Sequence, residues 1–401
     1  MKRERLIVLD ALRAMAGLTV PLFHICENLG NPPLRYESVC GHGYLAVEFF
    51  LLLMGYMLAY AYDRRWSSGM GVWEFFRRRL VRLHPLVISG VLLGVLVVCA
   101  QSAFGFSWMS WLKDLPAWKI ALLALWSMTM VPVVGVGLIN PFNACSWTLY
   151  YEYAGNILYA LGLRKLGKRV LVACVVVASL FWLCYVMHVN LNGVFGTHLE
   201  LFDKVAANAR WSIVCGWSDS ANHVYGGFVR LALPLFLGLL LSRLGWRIQL
   251  KKGAFAIAVA VFALILYMPF TYRLGGEGHY WVNALFEFLA VAVVFPLLIL
   301  VGVGSRVELP PRMTAAVTYL AELSYPLYMS HFMFMGVFRT WIKSLAETSS
   351  TLSIVLASAT TYLAFVAIAA LIMHFWDRPI QRFFSSRPAQ KTNHESPERG
   401  K

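Results

Sequence analysis

The stretch Leu6-Ile7-Val8-Leu9-Asp10-Ala11-Leu12-Arg13-Ala14-Met15-Ala16-Gly17-Leu18-Thr19-Val20-Pro21-Leu22-Phe23-His24-Ile25 decides how the chain is read. It is long and apolar enough to cross a bilayer as a helix. Yet it contains a permanent cation, Arg13, and a titratable ring, His24. At ~100° per residue, the eleven steps between them return His24 to within roughly 20° of the Arg13 face, about 16 Å further along the axis. Ionisable groups inside a bilayer are costly, so they face the interior of a helix bundle and mark a pathway or a site. The plain alternative has Arg13 snorkelling to the headgroups and His24 sitting at the interface. The pair alone does not choose between these readings.

Composition extends the membrane reading to the whole chain. Of 401 residues, 59% are hydrophobic and 14% charged, against ~25% charged in a soluble domain. The expected fold is all-α: a polytopic integral membrane protein with about ten crossings of ~20 residues in one bundle. The net charge of +15 lies in short clusters between apolar runs. That pattern suits anionic headgroups and the positive-inside rule, and no nucleic-acid-binding motif accompanies it. Seven scattered cysteines without a C-x-x-C predict neither a disulfide framework nor a metal site. Met1 to Arg5 followed by an apolar run resembles a signal sequence. Arg13 and the lack of a small-x-small cleavage site make it a retained anchor.

Lys2, Arg3 and Arg5 are expected to hold the N-terminus in the cytoplasm. Helices are expected over 6–27, 44–62, 86–104, 146–163, 170–188, 224–241, 253–270, 280–303, 313–341 and 351–376, with a kink at Pro326. A basic loop carrying Arg64, Arg65, Arg77, Arg78, Arg79 and Arg82 separates the second from the third. The apolar stretch 118–138 is broken by Pro132, Gly135 and Gly137. If it crosses, Arg164, Lys165, Lys168 and Arg169 fall outside; if it is re-entrant or lies on the surface, they fall inside. The second course puts about 25 Lys/Arg on the inner side and about 7 on the outer, and is preferred. Residues 1–379 read as one transmembrane domain, and 380–401 as a basic cytoplasmic tail expected to be disordered.

Several polar groups stand out within this frame. Arg79 and Arg82 are three apart and share a helical face, and arginine forks bind phosphate oxygens. Plain positive-inside topology explains them equally well. Glu152, in Ser146-Trp147-Thr148-Leu149-Tyr150-Tyr151-Glu152, must be paired, hydrogen-bonded or protonated at membrane depth. A neighbouring imidazole would satisfy it, and so would a structural bond to another helix. Tyr328 and His331 share a face, while Pro326 leaves the Glu322 carbonyl without its helical partner. Glu48, Glu287 and His374 are intramembrane candidates that nothing in the sequence pairs. His188, His223 and His279 sit at helix ends or in outer loops. Buried Arg, His and Glu would also suit a proton-coupled transporter, although no matching halves are apparent.

Taken together, these pieces resemble the membrane-bound acyltransferase family 3, whose members O-acylate bacterial cell-surface glycans, lipid-linked sugars and small molecules. The Arg13-x10-His24 spacing is similar to that family's first-helix signature. Phe49-Phe50-Leu51-Leu52-Leu53-Met54-Gly55-Tyr56 resembles its second-helix motif, with Met54 where the family has serine. Arg79-Leu80-Val81-Arg82-Leu83-His84-Pro85 resembles its Arg-x-x-Arg motif. Trp147-Thr148-Leu149-Tyr150-Tyr151-Glu152 resembles Trp-Ser-Leu-x-x-Glu. Ser324-Tyr325-Pro326-Leu327-Tyr328-Met329-Ser330-His331 resembles a late Ser-Tyr-x-x-Tyr-x-x-His motif, and Trp376-Asp377-Arg378-Pro379 a closing acid-x-Pro turn.

The resemblance implies a cytoplasmic acyl-CoA donor, acetyl-CoA foremost, with its phosphates on Arg79 and Arg82 and with Arg13 deeper on the same side. It implies a carbohydrate or glycolipid acceptor and a place in the bacterial inner membrane, with both termini cytoplasmic. His24 is then expected to act as general base, with Glu152 orienting its ring as a buried carboxylate does in a triad. His24 could instead carry the acyl group covalently, and the sequence does not separate these two courses. Ser324, Tyr328 and His331 are expected to stabilise the oxyanion or line the acceptor path. Trp211 and Trp217, in the long outer loop, would contact a sugar or anchor at the interface. No metal and no resident cofactor are expected, because the thioester is already activated.

Overall fold

The computed structural model describes residues 6–29, 39–104, 106, 110–186, 212–269, 280–346 and 350–385. Among them there is no strand. Helix α1 is Ile7–Leu29, α2 Ala46–Ser67, α3 Val72–Phe104, α4 Ala117–Met128, α5 Trp147–Leu161, α6 Lys168–Val186, α7 Ala221–Leu244 and α8 Ala254–Tyr267. Helix α9 joins Tyr280–Leu289 to Phe295–Gly304 through a π-helical turn at Ala290–Val294. Then come α10 (Pro311–Ser330), α11 (Met335–Ala346), α12 (Thr351–Ile372) and α13 (Arg378–Ser385). His188, Trp211, His279, Lys2, Arg3, Arg5 and residues 386–401 lie outside the described residues.

Seven helices are long and apolar enough to cross a bilayer, against the ten expected. Three expected crossings fall short of that measure. Helix α5 has 15 residues and α8 has 14. Helix α10 is long enough, but Arg312, Thr314, Thr318 and Glu322 make its first three turns polar.

Three boundaries differ from expectation, each for a local reason. The basic stretch before Pro85 is helix rather than loop. Helix α3 starts at Val72 and runs 33 residues through Arg77, Arg78, Arg79 and Arg82, and the Pro85 carbonyl accepts from Trp376 Nε1 at 2.8 Å. The expected helix over 313–341 is two helices. Pro326 lies inside α10, and the break comes later, at a tight turn Phe332–Phe334 that follows His331. The expected tail begins as helix, since α13 continues from α12 through a π-helical turn at Met373–Asp377.

The 118–138 stretch holds only the 12-residue α4, about 18 Å long and too short to cross. The ends of the neighbouring helices agree with this. Arg164 stacks over Trp66 at 4.1 Å. Arg243 binds Asp63 at 2.8 Å and the carbonyls of Leu163 and Leu166 at 3.1 and 2.7 Å. The turns after α2, α5 and α7 therefore meet at one end of the bundle. A net crossing between α3 and α5 would have put the α5–α6 turn at the other.

The core is aliphatic and aromatic, with Leu12, Ala16, Phe49, Leu52, Phe262 and Phe295 all fully buried. Small residues set the closest crossings. A Cβ on Gly17 of α1 would overlap Ser324 of α10, so these helices touch backbone to backbone there. Helices α1 and α10 thus run side by side, with Arg13 beside Ser324 at one end and His24 beside His331 at the other.

Candidate active site

The Arg13 end opens into a chamber of about 630 Å³ whose walls include Arg13, Arg82, Glu152, Tyr325, Asp377 and Arg378. A second cavity of about 330 Å³ adjoins it, sharing Arg13, Arg82 and Glu152 and adding Arg79, Tyr60 and Asp10. Arg79 is buried and donates from Nη2 to Glu152 Oε1 at 2.7 Å. Its Nε has no hydrogen-bond partner, an orphan donor of the kind that a bound acceptor would satisfy. Arg82, one turn on, is exposed to the chamber. Arg13 Nε lies 3.4 Å from Ser324 Oγ. Arg378 is taken by Glu322 at 2.6 Å, and Gln381 donates to both oxygens of Asp377 at 2.9 Å. The guanidinium groups thus outnumber the carboxylates only slightly, and the chamber is a network of oriented donors rather than a purely cationic pocket.

At the other end of α1, His24 Nδ1 lies 2.8 Å from Glu27 Oε2. The two are three apart on one helix, where side chains meet. His24 Nε2 faces Cys145 Sγ at 3.8 Å, and His331 Nε2 faces the same sulfur at 3.8 Å. The two imidazoles stack with centroids 5.4 Å apart. His331 Nδ1 bonds the Leu327 carbonyl at 3.0 Å, and Tyr328 OH donates to the Cys145 carbonyl at 3.2 Å. A cavity of about 330 Å³ opens on His24, walled by Glu27, Asn28, Cys145, Trp147, Trp217 and Arg339. Arg339 donates to Asn28 Oδ1 at 2.9 and 2.5 Å, and Asn28 donates in turn to the His24 carbonyl at 2.7 Å.

The expected His24–Glu152 pair is not formed. Cys145, just ahead of α5, is the part of that segment beside His24. Glu152 follows seven residues later, about 10 Å towards the Arg13 end, where Arg79 takes it. The carboxylate on His24 is Glu27. The late motif is likewise divided along α10, with Ser324 at Arg13 and His331 at His24.

Behind the His24 cavity lie two buried polar clusters. Glu48 is ion-paired with Arg230 at full burial. Arg230 also donates to the Cys215 carbonyl at 2.8 Å and stacks 4.7 Å from the Trp147 ring, so the pair backs a wall of the cavity. Glu287 accepts from Tyr44 OH, from the Ile213 amide at 2.8 Å and from Asn283 Nδ2 at 2.7 Å. Both carboxylates are held in place by the fold, away from the reacting groups. His374 bonds the Ala370 carbonyl at 2.8 Å and Arg378 at 3.1 Å. Glu27, Cys145, Asn28, Arg339 and Arg230 are the site residues that the sequence reading passed over. Only Glu27 carried a usable signal, its spacing of three from His24.

Comparison with known proteins now bears on this geometry. No solved structure matches the chain. A curated relative, "Protein 2 in picA locus" of Rhizobium radiobacter, is 34% identical over 98 residues. That match covers 24% of this chain and 48% of the relative, so the chain spans about half the length of the curated relative it matches. The acyltransferase-domain family matches over residues 6–373, which takes in Arg13, His24, Arg79, Arg82, Glu152 and His331. With apolar helices enclosing two polar cavities, the chain belongs to acyltransferase family 3.

Proposed function

We propose that the chain moves an acyl group, acetyl in the simplest case, from cytoplasmic acyl-CoA to a hydroxyl of a cell-surface or lipid-linked carbohydrate. The observation that carries this reading is the pair of cavities at opposite ends of α1, one walled by Arg13, Arg79 and Arg82, the other by His24. The phosphates of the donor bind at Arg82 and Arg79, where charge-assisted bonds are strong. The pantetheine arm runs along α1 past Ser324, over the ~16 Å that separate Arg13 from His24. The acceptor enters at Trp147 and Trp217, whose rings suit the face of a sugar, with Asn28 and Arg339 as polar partners.

Glu27 holds Nδ1 of His24 as the protonated nitrogen and leaves Nε2 to take a proton. The acceptor oxygen attacks the thioester carbonyl as Nε2 takes its proton. The C–S bond breaks, and the same proton passes to the departing CoA thiolate. The products are the ester and free CoA–SH. Bacterial inner-membrane residence, with the Arg13 end facing the cytoplasm, follows from where the donor is made.

The test is thiol release from acetyl-CoA by the purified protein, wild type against His24→Ala, with cell-envelope glycans as acceptor. Release that requires both acceptor and His24 supports the reading. Release unaffected by His24→Ala moves the base elsewhere. Neither binding nor release from a folded sample overturns the reading.

A further inference from the structure

The His24 end holds a cluster in which Cys145 and His331 have no part in this chemistry. His24, Cys145 and His331 each offer one atom, and these atoms all lie within 4.8 Å of one another. His24 Nδ1 is on the Glu27 carboxylate and His331 Nδ1 is on the Leu327 carbonyl. Both contacts are to acceptors, so each neutral ring carries its proton on Nδ1 and turns an Nε2 lone pair towards Cys145 Sγ. A thiol has one proton and can satisfy only one of them. Three donor atoms of this kind, two of them on buried residues and without a second hydrogen to share, fit a cation better than they fit one another.

The distances agree. With Zn–S near 2.3 Å and Zn–N near 2.0–2.1 Å, tetrahedral geometry puts N and S about 3.5 Å apart. The two N···S separations are 3.8 Å and close with a few tenths of an ångström, while the two ring nitrogens, within 4.8 Å of each other, must draw together to about 3.3 Å. Thiolate with two imidazoles is a donor set that selects zinc-like ions over magnesium or calcium. Contacts from the far ring nitrogen to a carboxylate or a backbone carbonyl are those that orient metal-bound histidine, and both are already made.

We infer that His24, Cys145 and His331 form a binding site for a zinc-class divalent cation. On binding, Cys145 releases its thiol proton to solvent in the adjoining cavity. No electron is transferred and no other covalent bond changes. The thiolate and the Glu27 carboxylate balance the two positive charges. Arg339 on the same wall is engaged by Asn28, and the fourth coordination position faces the cavity. A cation here occupies His24 Nε2, so it inhibits acyl transfer; that consequence alone rests on the function proposed above.

The experiment is titration of the full chain in detergent with Co²⁺, followed by displacement with Zn²⁺. Wild type is expected to bind one Co²⁺ per chain with a thiolate-to-cobalt charge-transfer band in the near ultraviolet. Cys145→Ala should lose that band. Glu27→Gln, acting through the His24 ring, should weaken binding roughly tenfold. Helical circular dichroism and a monodisperse gel-filtration peak, measured on the same samples, show that each variant is folded. A band that survives Cys145→Ala overturns the assignment, and so does no Co²⁺ binding by folded wild type. Co²⁺ binding without any thiol release would leave the site standing and sink only the transfer reading. Stimulation of turnover by stoichiometric Zn²⁺ would overturn the inhibitory consequence.

Discussion

Two carboxylates, Glu27 and Glu152, divide the work at this site, and substituting each by glutamine separates their roles. Glutamine keeps the shape and removes the charge. At Glu27 it leaves His24 Nδ1 a weaker acceptor and removes the anion that stabilises the imidazolium formed as the proton is taken. In a fully buried triad that loss costs about 10⁴ in kcat. Here the His24 and Glu27 side chains are 18% and 44% exposed, which moves the interaction towards the ~1 kcal/mol of an exposed pair. The expected fall in kcat is therefore roughly tenfold, about 1.4 kcal/mol, with KM for acetyl-CoA unchanged. Glu152→Gln acts about 10 Å away, on Arg79, and should change KM for acetyl-CoA while kcat holds. Initial-rate kinetics with varied acetyl-CoA and saturating acceptor read both parameters. If Glu152→Gln lowers kcat at constant KM while Glu27→Gln leaves kcat alone, the assignment of Glu27 to His24 is wrong and Glu152 orients the base.

Three further outcomes follow from the packing and charge around the site. Arg82→Ala, which deletes an exposed donor from the chamber, should weaken acetyl-CoA binding roughly tenfold, the low end for hydrogen bonds to charged groups; isothermal titration at two salt concentrations should show a shallower salt dependence as well. Gly17→Leu forces a side chain into the α1–α10 contact at Ser324, and should lower thermal stability in detergent by about 1–3 kcal/mol, read as a fall in Tm. Arg230→Met leaves Glu48 buried without its partner and should destabilise the protein by about 3–5 kcal/mol, whereas Glu48→Leu combined with Arg230→Met should recover most of that loss. Equal Tm values for the single and the double variant would show that the pair is not coupled.

The sequence already tied Arg13 to His24, because both lie on one helix and helical geometry fixes their relation. Glu27 was legible by the same rule. The partner of Glu152 was not, because it depends on where α3 sits. That helix absorbs the basic stretch 72–84 and so carries Arg79 inward to the α5 carboxylate. Arg77, Arg78, Arg79 and Arg82 mask the helical apolar spacing of Val72, Phe76, Leu80 and Leu83, which is why the first three turns read as a loop. Cys145 was hidden for a similar reason. It precedes the tryptophan of a motif, on a short turn whose position is set by Asn143 donating to the Met329 carbonyl at 2.9 Å. The pairing of Glu48 with Arg230 spans 182 positions, a separation that no local pattern encodes.

Under the proposed function, the arrangement also explains why a carboxylate stands in the chamber that would take an anionic donor. A chamber of unpaired arginines would hold acyl-CoA and the product CoA equally tightly and slow release. Glu152 instead occupies Nη2 of Arg79, fixing the guanidinium plane and trimming the net charge. Orientation is thereby gained at the expense of raw attraction, a favourable exchange when the product carries the same phosphates as the substrate. The same logic makes the spacing along α1 strict. One residue inserted between Arg13 and His24 would turn the ring by ~100° while moving it only ~1.5 Å. The Gly17–Ser324 contact prevents α1 from rotating to compensate. His24 and Glu27, three apart on the same helix, would turn together and leave Cys145 and His331, although the Arg13 chamber would still be present.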